Sequence, residues 1–436
     1  MKVRRVLANN RKKAFIVETS KARLEYPYSR LHLRPQSSDP IVHVGPDREL
    51  ANEAFTYVLR SGKSESVHLD SVLEYHQDPD YICELLLHVL TAQALDVIER
   101  QSIPKRELAR RFIAYVENNY VVWMGRMGGN SDLHSWTVRR KILPLLQKDG
   151  KCVLIVMGGL RLSQWLYLQK KLEPWFHVEN STAWAPLPPE SLFCRSALFS
   201  GLMSRDVSRD QPQLWRRLCE GGDENHCQRE LLKLHLRKQG VDLEDIRFIH
   251  VKTSQDAGSL AENLQTDANA RLIVVVVEFM EMLDVWRRDN PRDPAPKEKD
   301  VRTRAGEWFE SSGMADAMRS ISESRRAVVL TSDHGTVRAD SPAEVFCQEE
   351  KSAHPRVKIG ANISCDERQA LFIESPSQYG LPGMDGELAY AIAKENFYFV
   401  YPNKFQYFVT QFKDQMVSGG LSMEEMIVPL ATLTPR

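Results

Sequence analysis

The chain predicts an α/β fold: a mainly parallel sheet covered by helices on both faces, preceded by a small α+β unit. Two observations carry this. Beyond residue 145, short apolar runs at Cys152–Met157, 247–251, Leu272–Val277 and 327–330 alternate with helical segments. A strand that is apolar along its length, rather than at every second residue, is one buried on both faces of a parallel sheet. Before residue 125 the pattern differs: strand-forming stretches with charged turns come first, and helical spacing of apolar residues follows.

Composition sets the outer limits. At 436 residues the chain has room for two or three domains, and 42% hydrophobic content suits a protein with a real core. Formal net charge is zero, so bulk electrostatics gives no affinity for nucleic acid or an acidic surface. No apolar run approaches the ~20 residues of a membrane span. Met1-Lys2-Val3-Arg4-Arg5 leads into no long apolar segment, so no secretory signal is expected and the expected location is cytoplasmic. The seven cysteines are scattered without a C-x-x-C pair. Cys219 and Cys227 near His226 therefore do not make a zinc knuckle, and reduced thiols are expected.

The elements follow in order. Residues 14–17 and 24–26 are rich in strand formers. Residues 55–59 and 67–73 flank Arg60-Ser61-Gly62-Lys63, the pattern of a hairpin with a glycine-containing loop. Asp78-Pro79 opens a helical stretch, with Leu85, Leu86, Val89, Leu90, Ala94, Val97 and Ile98 at helical spacing. Ser102-Ile103-Pro104 breaks it. Residues 105–116 read as a second helix, and 115–124 drift into strand-like sequence. Three glycines within residues 125–132 mark a linker. The expected organisation is a basic β-rich module with helices over 1–124, a linker and lead-in helix over 125–145, and the α/β domain over 146–436. Residues 287–304, with three prolines and dense charge, read as a loop or inserted arm. The first 34 residues hold ten Lys or Arg against two acids, a net +8. Arg4, Arg5, Arg11, Lys12 and Lys13 are the candidates there for tracking phosphates, with a solvated strand face as the plainer reading.

Ligands of open α/β sheets sit beyond the carboxyl ends of the strands. Gly158-Gly159-Leu160-Arg161, residues 278–284 and Thr331-Ser332-Asp333-His334-Gly335 each follow an apolar run and so converge on one rim. Between them, Leu187-Pro188-Pro189-Glu190-Ser191 leads into Arg195-Ser196-Ala197-Leu198-Phe199-Ser200-Gly201. Residues 417–429 read V-S-G-G-L-S-M-E-E-M-I-V-P. Each block alone has a plain structural reading. Asp-His-Gly suits a turn, Ser191 after two prolines suits a helix cap, and Ser422 with Glu425 has capping-box spacing. In this order the four blocks resemble the PglZ domain, a branch of the alkaline phosphatase superfamily. Residues 1–110 resemble a small β-rich module that often precedes a helix-turn-helix.

The resemblance implies an alkaline-phosphatase-like sandwich and a rim that binds two divalent ions ~4 Å apart, which stabilise the attacking and leaving oxygens of phosphoryl transfer. A Ser or Thr beneath them is the nucleophile. Carried over position by position, the nucleophile falls on Ser191, and the Asp-His ligands on Asp333 and His334. The remaining ligand positions fall on Gly158, Glu281, Val285 and Ser418, of which only Glu281 has a suitable atom. Glu190, Glu278 and Asp284 are candidate substitutes, the last two sharing a helix face with Glu281. Three missing ligands imply a catalytically impaired binding or scaffold component of a bacterial defence or regulatory system. It would work with a protein partner and hold no metal or one weakly bound zinc. The alternatives are a working metal-dependent phosphatase or phosphodiesterase with two zinc ions and Ser191 as nucleophile, and a nucleic-acid or antitoxin-like binder acting through the first module.

Overall fold

The structure is a computed structural model that describes residues 2–11, 13–19, 23–28, 31, 39–47, 49–50, 53–69, 72, 105–125, 133–148, 150–243, 246–267, 269–289, 298–352, 354–383 and 388–436. Lys12, the helical stretch expected at 78–100 and most of the expected linker lie outside them. The chain divides into two compact units, Met1–His88 and Val89–Arg436.

The first unit contains β1 (Val3–Asn9), β2 (Ala14–Thr19), β3 (Arg23–Pro27), β4 (Ile41–Pro46), β5 (Ala54–Leu59) and β6 (Ser64–His68). They form two three-stranded antiparallel sheets, β1-β2-β3 and β4-β5-β6. The expected hairpin is β5–β6, closed by Leu59 N–H donating to the Lys63 carbonyl, with Gly62 at φ 84°. Phe15, Phe55 and Tyr57 fill the shared core, the Phe15 ring lying 4.9 Å from that of Phe55. Arg4, Arg5, Arg11 and Lys13 are exposed.

The second unit contains β7 (Cys152–Met157), β8 (Phe176–Trp184), β9 (Ile246–Val251), β10 (Leu272–Val277), β11 (Ala327–Thr331), β12 (Val337–Arg338), β13 (Ser341–Gln348), β14 (Val357–Cys365), β15 (Ala370–Ile373), β16 (Ala389–Ala393), β17 (Phe397–Val400), β18 (Met416–Val417) and β19 (Ile427–Pro435). The large sheet runs β8-β19-β11-β7-β10-β9. Strands β11, β7, β10 and β9 are parallel, and β19 is antiparallel to both its neighbours. All six residues of β7 and of β10 are buried, which is why both read as unbroken apolar runs.

A second sheet, β15-β16-β14-β13-β17, and the ribbon β12-β18 were not foreseen. The longer strands β13 and β14 mix buried with exposed positions, and the apolar β15, β16 and β17 are only four or five residues long, so no long apolar run announces the sheet. Two further readings are corrected. The helix begun at Lys105 continues to Gly125 rather than giving way to strand after residue 116. Its aromatic residues sit at helical spacing and pack inward: Phe112 stacks 5.5 Å from Trp184, Trp123 meets the same ring at 5.1 Å, and Tyr120 stacks 5.7 Å from Tyr379. This helix lies in the second unit, Val89–Arg436. Residues 298–304, expected as loop, begin the helix Glu298–Ser311. Among the described residues no helix is long and apolar enough to cross a membrane.

The Gly419–Met426 segment is locked by one buried ion pair. Arg356 Nε and Nη2 donate to the two Glu425 oxygens at 2.9 and 2.8 Å, with both side chains fully buried. Gly420 must be glycine, because a Cβ there would fall on the Arg356 guanidinium. Removing one partner strands a buried charge, so Glu425→Ala should cost about 3–5 kcal/mol, read from urea denaturation of the full chain. A loss under about 1 kcal/mol would mean that the pair is not what locks the segment.

Candidate active site

Register puts the site together. In the parallel ladder Val277 pairs with Met157 and Thr331 with Val156, so Gly158, Glu278 and the Ser332-Asp333 step leave the sheet at one level. Chain geometry thus delivers three predicted positions to one rim. Ser332 Oγ donates to the Met157 carbonyl at 2.7 Å and fastens the two exits. Ser191 opens the helix Ser191–Ser200, following an extended Glu190. The approach to it is held by Leu187 N–H donating to Tyr120 Oη at 2.8 Å.

Asp333 is the hub. Its Oδ1 accepts from Gly159 N–H at 3.0 Å and from His334 N–H at 2.8 Å. Its Oδ2 accepts from Ser191 Oγ at 3.0 Å and from Arg195 Nε at 2.7 Å. Burial by itself would raise the Asp333 pKa, but His334, Arg195 and the Gly159 N–H outweigh it and hold the carboxyl well below the usual range. Ser191 Oγ also lies 3.1 Å from His334 Nε2. The His334 Nδ1 donates to the Gly335 carbonyl at 2.8 Å, which in the neutral ring leaves Nε2 as an acceptor. Ser191 Oγ thus sits between the Asp333 carboxylate and the His334 ring.

Arg195, one turn along the same helix, reaches the opposite carboxylate as well. Its Nη1 and Nη2 donate to Glu278 Oε1 and Oε2 at 2.7 and 2.6 Å. His250 Nε2 lies 2.5 Å from Glu278 Oε1. Burial would raise the Glu278 pKa, but these hydrogen bonds bring it down to about 2.

A cavity of about 220 Å³ opens beside this cluster. Ser191, Arg195, Glu278, His334 and His354 line it, as do Gly158, Glu281, Asp284 and Ser418. Glu281 sits where burial, and then the charges of Glu278 and Asp333, push its pKa up. Asp284 pairs with Arg287 at 3.1 Å. Glu190 is the residue before the helix, and burial pushes its carboxyl up. Val285 does not line the cavity. It is 46% exposed on the helix Phe279–Asp289, whose Phe279, Met282 and Leu283 face the core. Three participants were missed by the sequence reading. Arg195 stands four residues after Ser191, on the same helix face, a spacing that signals contact with the same partner. His250 is next to last in β9, a strand that ends at the same rim. His354 has no local pattern to mark it.

The residues present do not fit a pair of metal ions. Gly158 and Ser418 supply no carboxylate or imidazole. Arg195 holds the inner oxygens of Asp333 and Glu278. Among the described residues no group of three or more His, Cys, Asp or Glu is placed to hold a metal.

Residues 137–433 match the family model for the BREX system PglZ alkaline phosphatase-like domain. The chain belongs to the PglZ family. PglZ membership makes it a member of the alkaline phosphatase superfamily and a component of a bacterial defence system. Among solved structures, murine ectonucleotide pyrophosphatase/phosphodiesterase 5 is similar at 11% identity and TM-score 0.38, covering 64% of this chain and 87% of that one. The human counterpart is similar at 10% identity and TM-score 0.37, covering 64% and 87%. Phosphonoacetate hydrolase from Sinorhizobium meliloti 1021, solved with phosphonoformate, is similar at 9% identity and TM-score 0.39, covering 65% and 89%. No curated protein matches.

The His354 ring, which burial holds at a pKa of about 3, sets an acid limit on this PglZ domain. The unfolded chain protonates His near 6.5, so it binds more protons than the folded state below that pH. Stability is then complete above pH 6.5 and falls as pH drops toward 3. Between pH 7 and 4.5, above the Glu278 window, His354→Gln should lose less stability than wild type in urea denaturation. Parallel losses in the two proteins would contradict this.

Proposed function

We propose that this PglZ-family chain is a binding or scaffold component of a BREX-type defence assembly, impaired in two-metal phosphoester hydrolysis. The observation that carries this reading is the cavity wall facing Ser191 and His334. It contains Gly158 and Ser418, which supply neither carboxylate nor imidazole, so a first-row metal would find too few of its usual donors. Loss of even a supporting residue commonly costs 10–100-fold in metal affinity or activity, and here ligands themselves are missing. What the cavity keeps is shape and a hydrogen-bonded floor, which suits holding a partner's group rather than turning it over. Membership of a multi-component defence system favours a protein as that partner.

A second reading has one observation in its favour: Ser191 Oγ lies 3.0 Å from Asp333 and 3.1 Å from His334, the company a nucleophile keeps. On that reading the chain is a metal-dependent phosphoesterase with Ser191 as nucleophile and Asp333, His334 and Glu281 as ligands.

Elemental analysis and turnover separate the two. On the first reading, freshly purified protein carries well under one zinc per chain and hydrolyses neither aryl phosphate monoesters nor diesters. Two tightly bound metals, or turnover that disappears in both Ser191→Ala and Asp333→Ala, would establish the second.

A further inference from the structure

We infer that the Arg195 guanidinium is the resident cation of this site, and that it and a divalent metal ion are mutually exclusive occupants of the space between Asp333 and Glu278. This deepens the functional reading above and rests on it, since a site that holds metal beside Arg195 would overturn both.

Space supports it first. A Cβ built on Gly158 would lie 2.7 Å from Arg195 Nη2 and 3.2 Å from Glu278 Oε2. Real Cβ atoms do not approach that closely, so a carboxylate at position 158 cannot coexist with the guanidinium where it lies. Gly158 is not among the residues with positive φ, so its backbone does not call for glycine. The guanidinium is what fills the room that a side chain at 158 would need.

Charge supports it second. The Arg195 side chain is 3% exposed, Asp333 is fully buried and Glu278 is 17% exposed. Two carboxylates this close and this buried need a positive charge between them. Arg195 provides it through one bond to Asp333 and a bidentate pair to Glu278, the planar geometry in which a guanidinium binds best. A divalent ion would have to take those same oxygens. Displacing the guanidinium would leave a buried charge without partners, which costs several kcal/mol.

Arg195 also acts as a positioning residue for Ser191. The Asp333 oxygen that accepts from Arg195 is the one that accepts from Ser191, so the guanidinium fixes the serine's hydrogen-bond partner without touching the serine.

The test is zinc titration of the full chain by calorimetry, with zinc-dependent melting as the second readout. The proteins are wild type, Arg195→Ala, Arg195→Gln and the double variant Gly158→Asp/Arg195→Ala. Arg195→Gln keeps most of the volume and hydrogen bonds while losing the charge, which covers the case in which Arg195→Ala does not fold. The expected result is no zinc-dependent rise in melting temperature for wild type, a gain in zinc affinity of about ten-fold or more in Arg195→Gln and Arg195→Ala, and a further gain in the double variant. Zinc bound by wild type would overturn this inference and the functional reading together. A zinc-free, inert wild type whose Arg195 variants bind zinc no better would overturn this inference alone. Hydrolysis by wild type that carries no zinc would overturn the functional reading alone.

Discussion

A buried positive charge must be neutralised by its neighbours, and the rim of this fold is arranged around one. Arg195 projects from the helix that Ser191 begins, and it ties the exit of β11 at Asp333 to the exit of β10 at Glu278. The exit of β7 joins through the Gly159 N–H, and that of β9 through His250. Two strand ends and a helix therefore meet on a single guanidinium, and two more strand ends join through the carboxylates it binds. None of these groups is placed by its own local structure. Each is placed because the parallel sheet brings strand ends to one level and because the charge at the centre holds them.

The second sheet and the Gly419–Met426 segment close the other side. β12 and β18 pair Val337 with Val417, which carries Ser418 to the cavity within reach of the loop that follows His334. The Arg356–Glu425 pair then anchors the residues beyond it. Two buried arginines thus do comparable work at two levels. One fixes the floor of the cavity, and the other fixes the segment that walls it. The cavity's shape is consequently a property of charge pairing as much as of apolar packing.

Much of this was legible in the sequence, and the reasons are physical. β7 and β10 announced themselves because burial on both faces leaves no polar residue in the strand. Asp333, His334 and Ser191 were legible because each follows a strand or opens a helix at the rim. Glu281 and Asp284 lie on the helix Phe279–Asp289 and Glu278 just before it, and all three line the cavity. Val285, four residues after Glu281, is exposed outside the cavity, because spacing along the chain does not say which way a helix turns its residues. Arg195 was quoted as part of a motif and given no role, since a buried arginine looks like a surface arginine until its two carboxylates, 83 and 138 residues away, are brought to it. His354 and the five-stranded sheet were missed for a plainer reason, since their local sequence pattern is ordinary. The end of the Lys105–Gly125 helix was missed because Val121, Val122 and Trp123 have strand propensity, which contact with Trp184 overrides.

The most direct measurement of the central claim is anomalous diffraction at the zinc edge from crystals of the full chain grown with excess zinc. The account predicts continuous density for the Arg195 guanidinium between Asp333 and Glu278, with no anomalous peak there. An anomalous peak bonded to oxygens of both carboxylates, with the Arg195 side chain turned away, would contradict it.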